Sequence, residues 1–158
     1  MSVSEKDFLT NLKEHQNIIY KLVHLYATSK EDKKDLYQEI VLQAWKTFPS
    51  FRGDARFSTW LYRLCLNTIF SLQRKTSRMH YTDTAGYEDQ LTTSNSDEKE
   101  RLYKAIRTLA ETERAIVSMH LDGYDNREVG EALGITANAV GVKLHRAKQK
   151  LNTLLKDI

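Results

Sequence analysis

Apolar residues recur at three- and four-residue intervals along most of this chain, and strand-like alternation does not stand out. Phe8, Leu12, Ile19, Leu22, Val23 and Tyr26 keep that period and predict a first helix. Ser4 is placed to open it, with Asp7 three residues on as the acidic half of a capping box. The polar run TSKEDKK, residues 28–34, breaks the pattern. A second helix follows from about Asp32 to Phe48. Leu36, Ile40, Ala44 and Phe48 form its stripe, with Tyr37, Val41 and Trp45 beside it. Pro49 stops it, because proline has no backbone N–H and disfavours helix in the residue before it. After a loop over residues 49–56, Ser58 or Thr59 can cap a third helix. That helix carries Leu61, Leu64, Cys65, Thr68 and Leu72 on one face and ends near Arg78.

Residues 79–97 differ in kind. They are rich in Thr, Ser, Asp and Asn, and their few apolar residues show no period. So long a structureless stretch is unusual inside one compact domain. It reads as a linker between two small helical domains, residues 1–78 and 98–158. Asp97 and Glu100 repeat the capping-box pattern, and Leu102, Tyr103, Ile106 and Leu109 form the stripe behind it. Thr112 can cap a short helix through Leu121, with Gly123 as its stop. Asp125 or Asn126 caps the next, which stops at Gly134. Thr136 caps the last, which buries Val140, Leu144, Ala147, Leu151 and Leu154. The fold class is all-α.

Composition narrows the function classes. One Cys among 158 residues cannot form an internal disulfide, and six Gly with one Pro leave few tight turns for a β fold. No apolar run is long enough to span a membrane. The opening MSVSEKDFLT lacks the basic and then apolar regions of a signal peptide, so a cytoplasmic location is the expectation. The formal charge of +3 hides a strong segregation. Residues 52–78 hold six cations and one acid, residues 79–98 hold five acids and no Lys or Arg, and residues 132–156 hold five cations and no acid. Two basic blocks separated by an acidic stretch fit two contacts with one polyanion; two solvated helix faces are the bland alternative.

The segment Asn126 to Lys148 has the spacing of a DNA-reading helix-turn-helix. Gly130 lets the second helix cross closely, Gly134 tolerates the turn, and Val140 pins the second helix to the first. Val129, Leu133, Ile135 and Leu144 complete its core. The second helix would lie in the major groove, with Lys143, Arg146 and Lys148 exposed and Thr136 offering a hydroxyl at its N-terminal end. An ordinary helical hairpin is the alternative, and the missing acids weigh against it.

Residues 51–78 interleave cations with Phe51, Phe57, Trp60, Tyr62 and Phe70. Rings and cations together suit single-stranded nucleic acid, at about 1–3 kcal/mol per stacked base. Core packing competes for the same rings. Phe51 and Arg52, in the loop, are the pair most open to a ligand, whereas Cys65 reads as a small core residue.

Taken together these segments resemble the extracytoplasmic-function type of bacterial sigma factor, the promoter-recognition subunit of RNA polymerase. Asp35-Leu36-Tyr37-Gln38-Glu39-Ile40-Val41-Leu42-Gln43-Ala44-Trp45 is similar to one stretch of sigma region 2. Phe51-Arg52-Gly53-Asp54-Ala55-Arg56-Phe57-Ser58-Thr59-Trp60-Leu61-Tyr62-Arg63 is similar to the stretch that follows it, and Gly123 through Lys148 is similar to region 4. The resemblance implies a region 2 helical bundle and a region 4 helix-turn-helix joined by a flexible acidic linker. It implies that Asp35, Gln38, Glu39 and Gln43 dock on the clamp helices of the polymerase largest subunit, with the polymerase flap as a further contact. Phe51, Arg52, Arg56, Arg63, Asn67, Arg74 and Lys75 would recognise the −10 element, where an unpaired base is flipped out. Thr136, Asn138, Val142, Lys143, His145, Arg146 and Lys148 would face the −35 duplex. An anti-sigma factor is a further partner implied by the family, with no cofactor and no membrane insertion. The linker would run toward the polymerase channels, as a mimic of nucleic acid or as a plain tether.

Three departures from the family pattern matter. Val129-Gly130 stands where Ile-Ala is frequent, which would soften that helix by up to about 1 kcal/mol. Gly141 and Val142 stand where a basic residue and a serine are frequent, so two contacts are lost and Val142 could meet a thymine methyl instead. His145 stands at a commonly aromatic or variable position. The main rival reading is a helix-turn-helix regulator acting without polymerase. Enzyme chemistry has little support: His15, His24, His80, His120 and His145 show no metal-ligand spacing, and no phosphate loop or nucleophile set is present.

Overall fold

The computed structural model describes residues 2–79 and 97–156, with side chains from Glu5 to Lys75 and from Asp97 to Lys156. Every regular element among them is helical: α1 (Ser2–Tyr26), α2 (Lys30–Thr47), a 3-10 turn (Phe48–Ser50), α3 (Phe57–Met79), α4 (Asp97–Arg107), α5 (Glu111–Leu121), α6 (Asn126–Leu133) and α7 (Ala137–Lys156). The chain divides into two compact units, Met1–Asp89 and Gln90–Ile158. The expected linker lies outside the described residues apart from its ends, Met79 and Asp97, which belong to helices.

In the first unit α1, α2 and α3 all pack on one another. Their shared core holds Ile19, Leu22 and Leu25 of α1, Ile40 and Ala44 of α2, and Leu61, Tyr62, Cys65, Leu66 and Ile69 of α3. The buried face of α3 is therefore turned from the stripe the spacing predicts. Leu64, Thr68 and Leu72 are half-buried, and Tyr62, Leu66 and Ile69 take the interior. A helix flanked on two sides buries a broader arc than one apolar stripe marks out. The Tyr62 ring is covered by Lys21, whose Nζ lies 5.7 Å from the ring centroid.

Helix starts differ by a few residues from the positions that side-chain caps predict. α1 opens at Ser2, ahead of Ser4, whose side chain lies outside the described residues. α2 opens at Lys30 because Ser29 caps it, its Oγ accepting from the Asp32 N–H at 3.0 Å. Neither Ser58 nor Thr59 caps α3. The Arg56 carbonyl accepts from the Thr59 and Trp60 amides, and the first helical residue, Phe57, is buried. Thr112 sits inside α5, which Ala110 precedes; Glu111 and Glu113 in the first turn favour the positive end of the helix dipole. The second unit gathers α4, α5 and α6 around α7, over a core of Ile106, Leu109, Ile116, Met119, Val129, Val140 and Ala147. Leu154, expected on the buried face, is 39% exposed, whereas Leu151 just before it is buried.

Candidate nucleic-acid interface

The helix-turn-helix is built from caps and two glycines. Asp125 caps α6: its side chain accepts from the Glu128 N–H at 2.9 Å, and the Glu128 carboxylate accepts from the Asp125 N–H at 3.1 Å. Gly134 ends α6 at φ 76°, a left-handed conformation that side chains resist. Gly130 faces the turn so closely that a Cβ there would lie 2.5 Å from the Ile135 carbonyl oxygen. Thr136 then caps α7, its Oγ1 accepting from the Ala139 N–H at 3.0 Å. Val140 is wholly buried and holds α7 on α6. These constraints set the rotation of α7. Asn138, Val142, His145 and Arg146 face outward and, with Gly141, line a shallow concavity of about 340 Å³. Lys148 is exposed beyond it, and Lys143 is half-buried on the flank. Thr136 stands at the N-terminal edge with its oxygen committed to the cap.

In the first unit α3 turns Arg63, Asn67, Arg74 and Lys75 to solvent. Arg63, Asn67 and Arg74 recur at intervals of four and seven, so they lie along one side of the helix. Arg52 and Arg56 are exposed in the loop before it, which Gly53 turns at φ 80°. Phe51 departs from its expected exposure. It is half-buried, with its ring centroid 6.0 Å from Phe48 in a stacked arrangement, 5.3 Å from Trp60 and 5.7 Å from Phe57. Phe57 and Trp60 are themselves 5.2 Å apart. Such pairs contribute about 0.5–1.5 kcal/mol each beyond burial, so the rings anchor the loop that carries the two arginines.

On α2, Asp35 and Gln38 are exposed, while Glu39 and Gln43 are half-buried and joined by a 3.0 Å hydrogen bond from the Gln43 amide to the Glu39 carboxylate. Trp45, beside the stripe, packs its ring on the buried Phe8 at 5.2 Å between centroids yet stays open to solvent. It is 45% exposed and, with Leu9, Tyr37, Gln38, Val41 and Leu42, lines an apolar groove of about 430 Å³ between α1 and α2. Leu42 was the available signal, since it falls off the phase of the Ile40 and Ala44 stripe. Tyr37 stacks on Tyr20 at 5.0 Å; burial, aided by a hydrogen bond to Tyr20, pushes its hydroxyl pKa up to about 12. Cys65 is fully buried, and burial pushes its thiol pKa up as well. Among the described residues no group of His, Cys, Asp and Glu could hold a metal ion, and no helix is long and apolar enough to cross a membrane.

Comparison with known proteins places both units. Residues 12–79 match the family model for sigma-70 region 2, and residues 99–151 match that for sigma-70 region 4. The ECF RNA polymerase sigma factor SigM of Mycobacterium tuberculosis is 27% identical over 148 residues, covering 90% of this chain and 74% of that protein. SigW of Bacillus subtilis is 26% identical over 165 residues, covering 91% and 86%. The fold matches the sigma factor RpoE of Bartonella quintana, solved with the anti-sigma factor NepR, at a TM-score of 0.77 and 20% identity over 96% of this chain and 98% of that one. It also matches CnrH, solved with the cytosolic domain of CnrY, at a TM-score of 0.71 and 22% identity over 97% and 90%. With both sigma regions present in order, the chain belongs to the extracytoplasmic-function family of RNA polymerase sigma factors.

Proposed function

We propose a division of labour for this sigma factor. The first unit docks on core polymerase through Asp35, Gln38, Glu39 and Gln43 of α2 and handles the −10 element. There Arg52, Arg56, Arg63, Asn67, Arg74 and Lys75 follow the opened strand, and Phe51 holds the loop against which a flipped base rests. The second unit sets α7 in the major groove of the −35 element, where Asn138, Val142, His145 and Arg146 face bases and Thr136, Lys143 and Lys148 face phosphates. Residues 1–78 and 98–158 form the two functional domains, with residues 79–97 as their tether. The chain works in the cytoplasm beside polymerase and performs no catalysis of its own. An anti-sigma factor holds it inactive by covering the polymerase-facing surface, a role consistent with the apolar groove beside Gln38.

The carrying observation is the pairing of two cationic, outward-facing helices, α3 and α7, on separately packed units of one sigma factor. Reconstitution with core RNA polymerase followed by run-off transcription tests the reading. Co-elution with core and a discrete promoter-dependent transcript are expected. A chain that fails to co-elute would sink it.

A further inference from the structure

Position 141 has no packing reason to be glycine. A Cβ built there would lie 3.5 Å from Asn126 Nδ2, an ordinary van der Waals contact. Its backbone is not in the left-handed region, and glycine weakens a helix interior by roughly 1 kcal/mol relative to alanine. Gly141 instead contributes bare backbone to the lining of the concavity on α7. Val142 beside it is 50% exposed, a β-branched apolar residue on a face otherwise made of Asn138, His145 and Arg146. Valine makes no hydrogen bond, and its exposure has no partner within the second unit. An apolar spot ringed by an amide, an imidazole and a guanidinium is complementary to one feature of the major groove. That feature is the C5-methyl group of thymine, the apolar mark that separates A·T from the other base pairs. Residues 132–156 hold no acid, so α7 itself brings no negative charge to the flanking phosphates.

We propose that Gly141 and Val142 make this chain a reader of a thymine methyl group in the −35 element. Val142 covers the methyl, and the bare backbone at Gly141 lets α7 approach the base edge closely. This rests on the assignment of α7 to the −35 duplex and names the base feature that the assignment leaves open.

The test uses holoenzyme reconstituted from the full chain and core polymerase. Promoters are first selected from a library randomised upstream of a constant −10 region. Each thymine in the selected −35 element is then replaced by deoxyuridine, which removes only the methyl group. One position should lose affinity by about fourfold, the worth of one buried methyl group. Val142→Ala should bind the thymine and deoxyuridine promoters equally. Gly141→Ala, which the fold accommodates, should weaken both promoters alike while leaving thermal unfolding unchanged or raised. Equal binding of thymine and deoxyuridine at every position by the unaltered chain would overturn the proposal, as would retained discrimination in Val142→Ala. If no upstream sequence is selected at all, the assignment of α7 to the −35 element fails as well. If a −35 sequence is selected and Arg146→Ala weakens it, yet deoxyuridine has no effect, only the methyl reading fails.

Discussion

A methyl group added at Gly130 would meet the Ile135 carbonyl oxygen at 2.5 Å, and that oxygen belongs to backbone that cannot swing aside. The Gly130 carbonyl also accepts from the Gly134 and Ile135 amides at 2.8 and 3.0 Å, which ties the turn to the same residue. By propensity alone glycine here reads as a softened helix; the packing shows that it permits the close crossing of α6 and α7. Gly130→Ala should therefore destabilise the second unit by about 1–3 kcal/mol, the range for overpacking. A thermal melt checks this, and an unchanged or raised midpoint would reject it. Cys65 makes the opposite kind of residue-level case. It is fully buried among apolar neighbours, and its raised thiol pKa removes the reactive thiolate. Thiol reagents should leave the native chain unmodified and label it on unfolding; rapid labelling of folded protein would contradict the packing.

At the scale of elements, a helix works through the face its neighbours leave free. α7 is held by the Thr136 cap and the buried Val140, so Arg146 projects outward without supporting the core. Arg146→Ala should weaken binding to upstream promoter DNA and leave polymerase docking intact, read by mobility shift and co-elution in parallel. Equal loss of both would make the residue structural. On α3, Asn67 is exposed between Arg63 and Arg74. Asn67→Ala should impair promoter opening, followed by permanganate reactivity, more than it impairs contact at the −35 site. Unchanged opening would remove its assigned role. The aromatic cluster beneath the loop was legible as a set of rings next to cations, but not as an anchor. Its ring contacts join residues of the α2 terminus, the loop and α3, and no single periodicity reports such a junction.

Across the whole molecule the +3 charge resolves into two cationic segments and one acidic one. If both cationic faces meet phosphate, binding to promoter DNA releases counterions and weakens steeply with salt. Promoter binding by holoenzyme should therefore show a steeper salt dependence than association of this chain with core polymerase. Equal slopes, measured over the same salt range, would reject the phosphate assignment for α3 and α7. Two small units also suit the task. Each has its own core, so under the proposed assignment each can meet a different form of DNA, opened strand or duplex.

The sequence by itself determined the all-α class, the helix-turn-helix and the chemistry of the outward faces. These depend on short-range rules: a 3.6-residue period, an Asp or Thr able to cap, a glycine where the chain must turn left-handed. Asp125, Gly134 and Thr136 each behave as their local context requires. Tertiary structure alone decided which parts of an apolar helix meet water. Tyr62 and Leu66 are interior because α3 is flanked by two helices, Phe51 is held by rings from the 3-10 turn and from α3, and Trp45 and Leu42 open onto a groove. Burial is a property of neighbours far away in sequence, and a local period cannot count them.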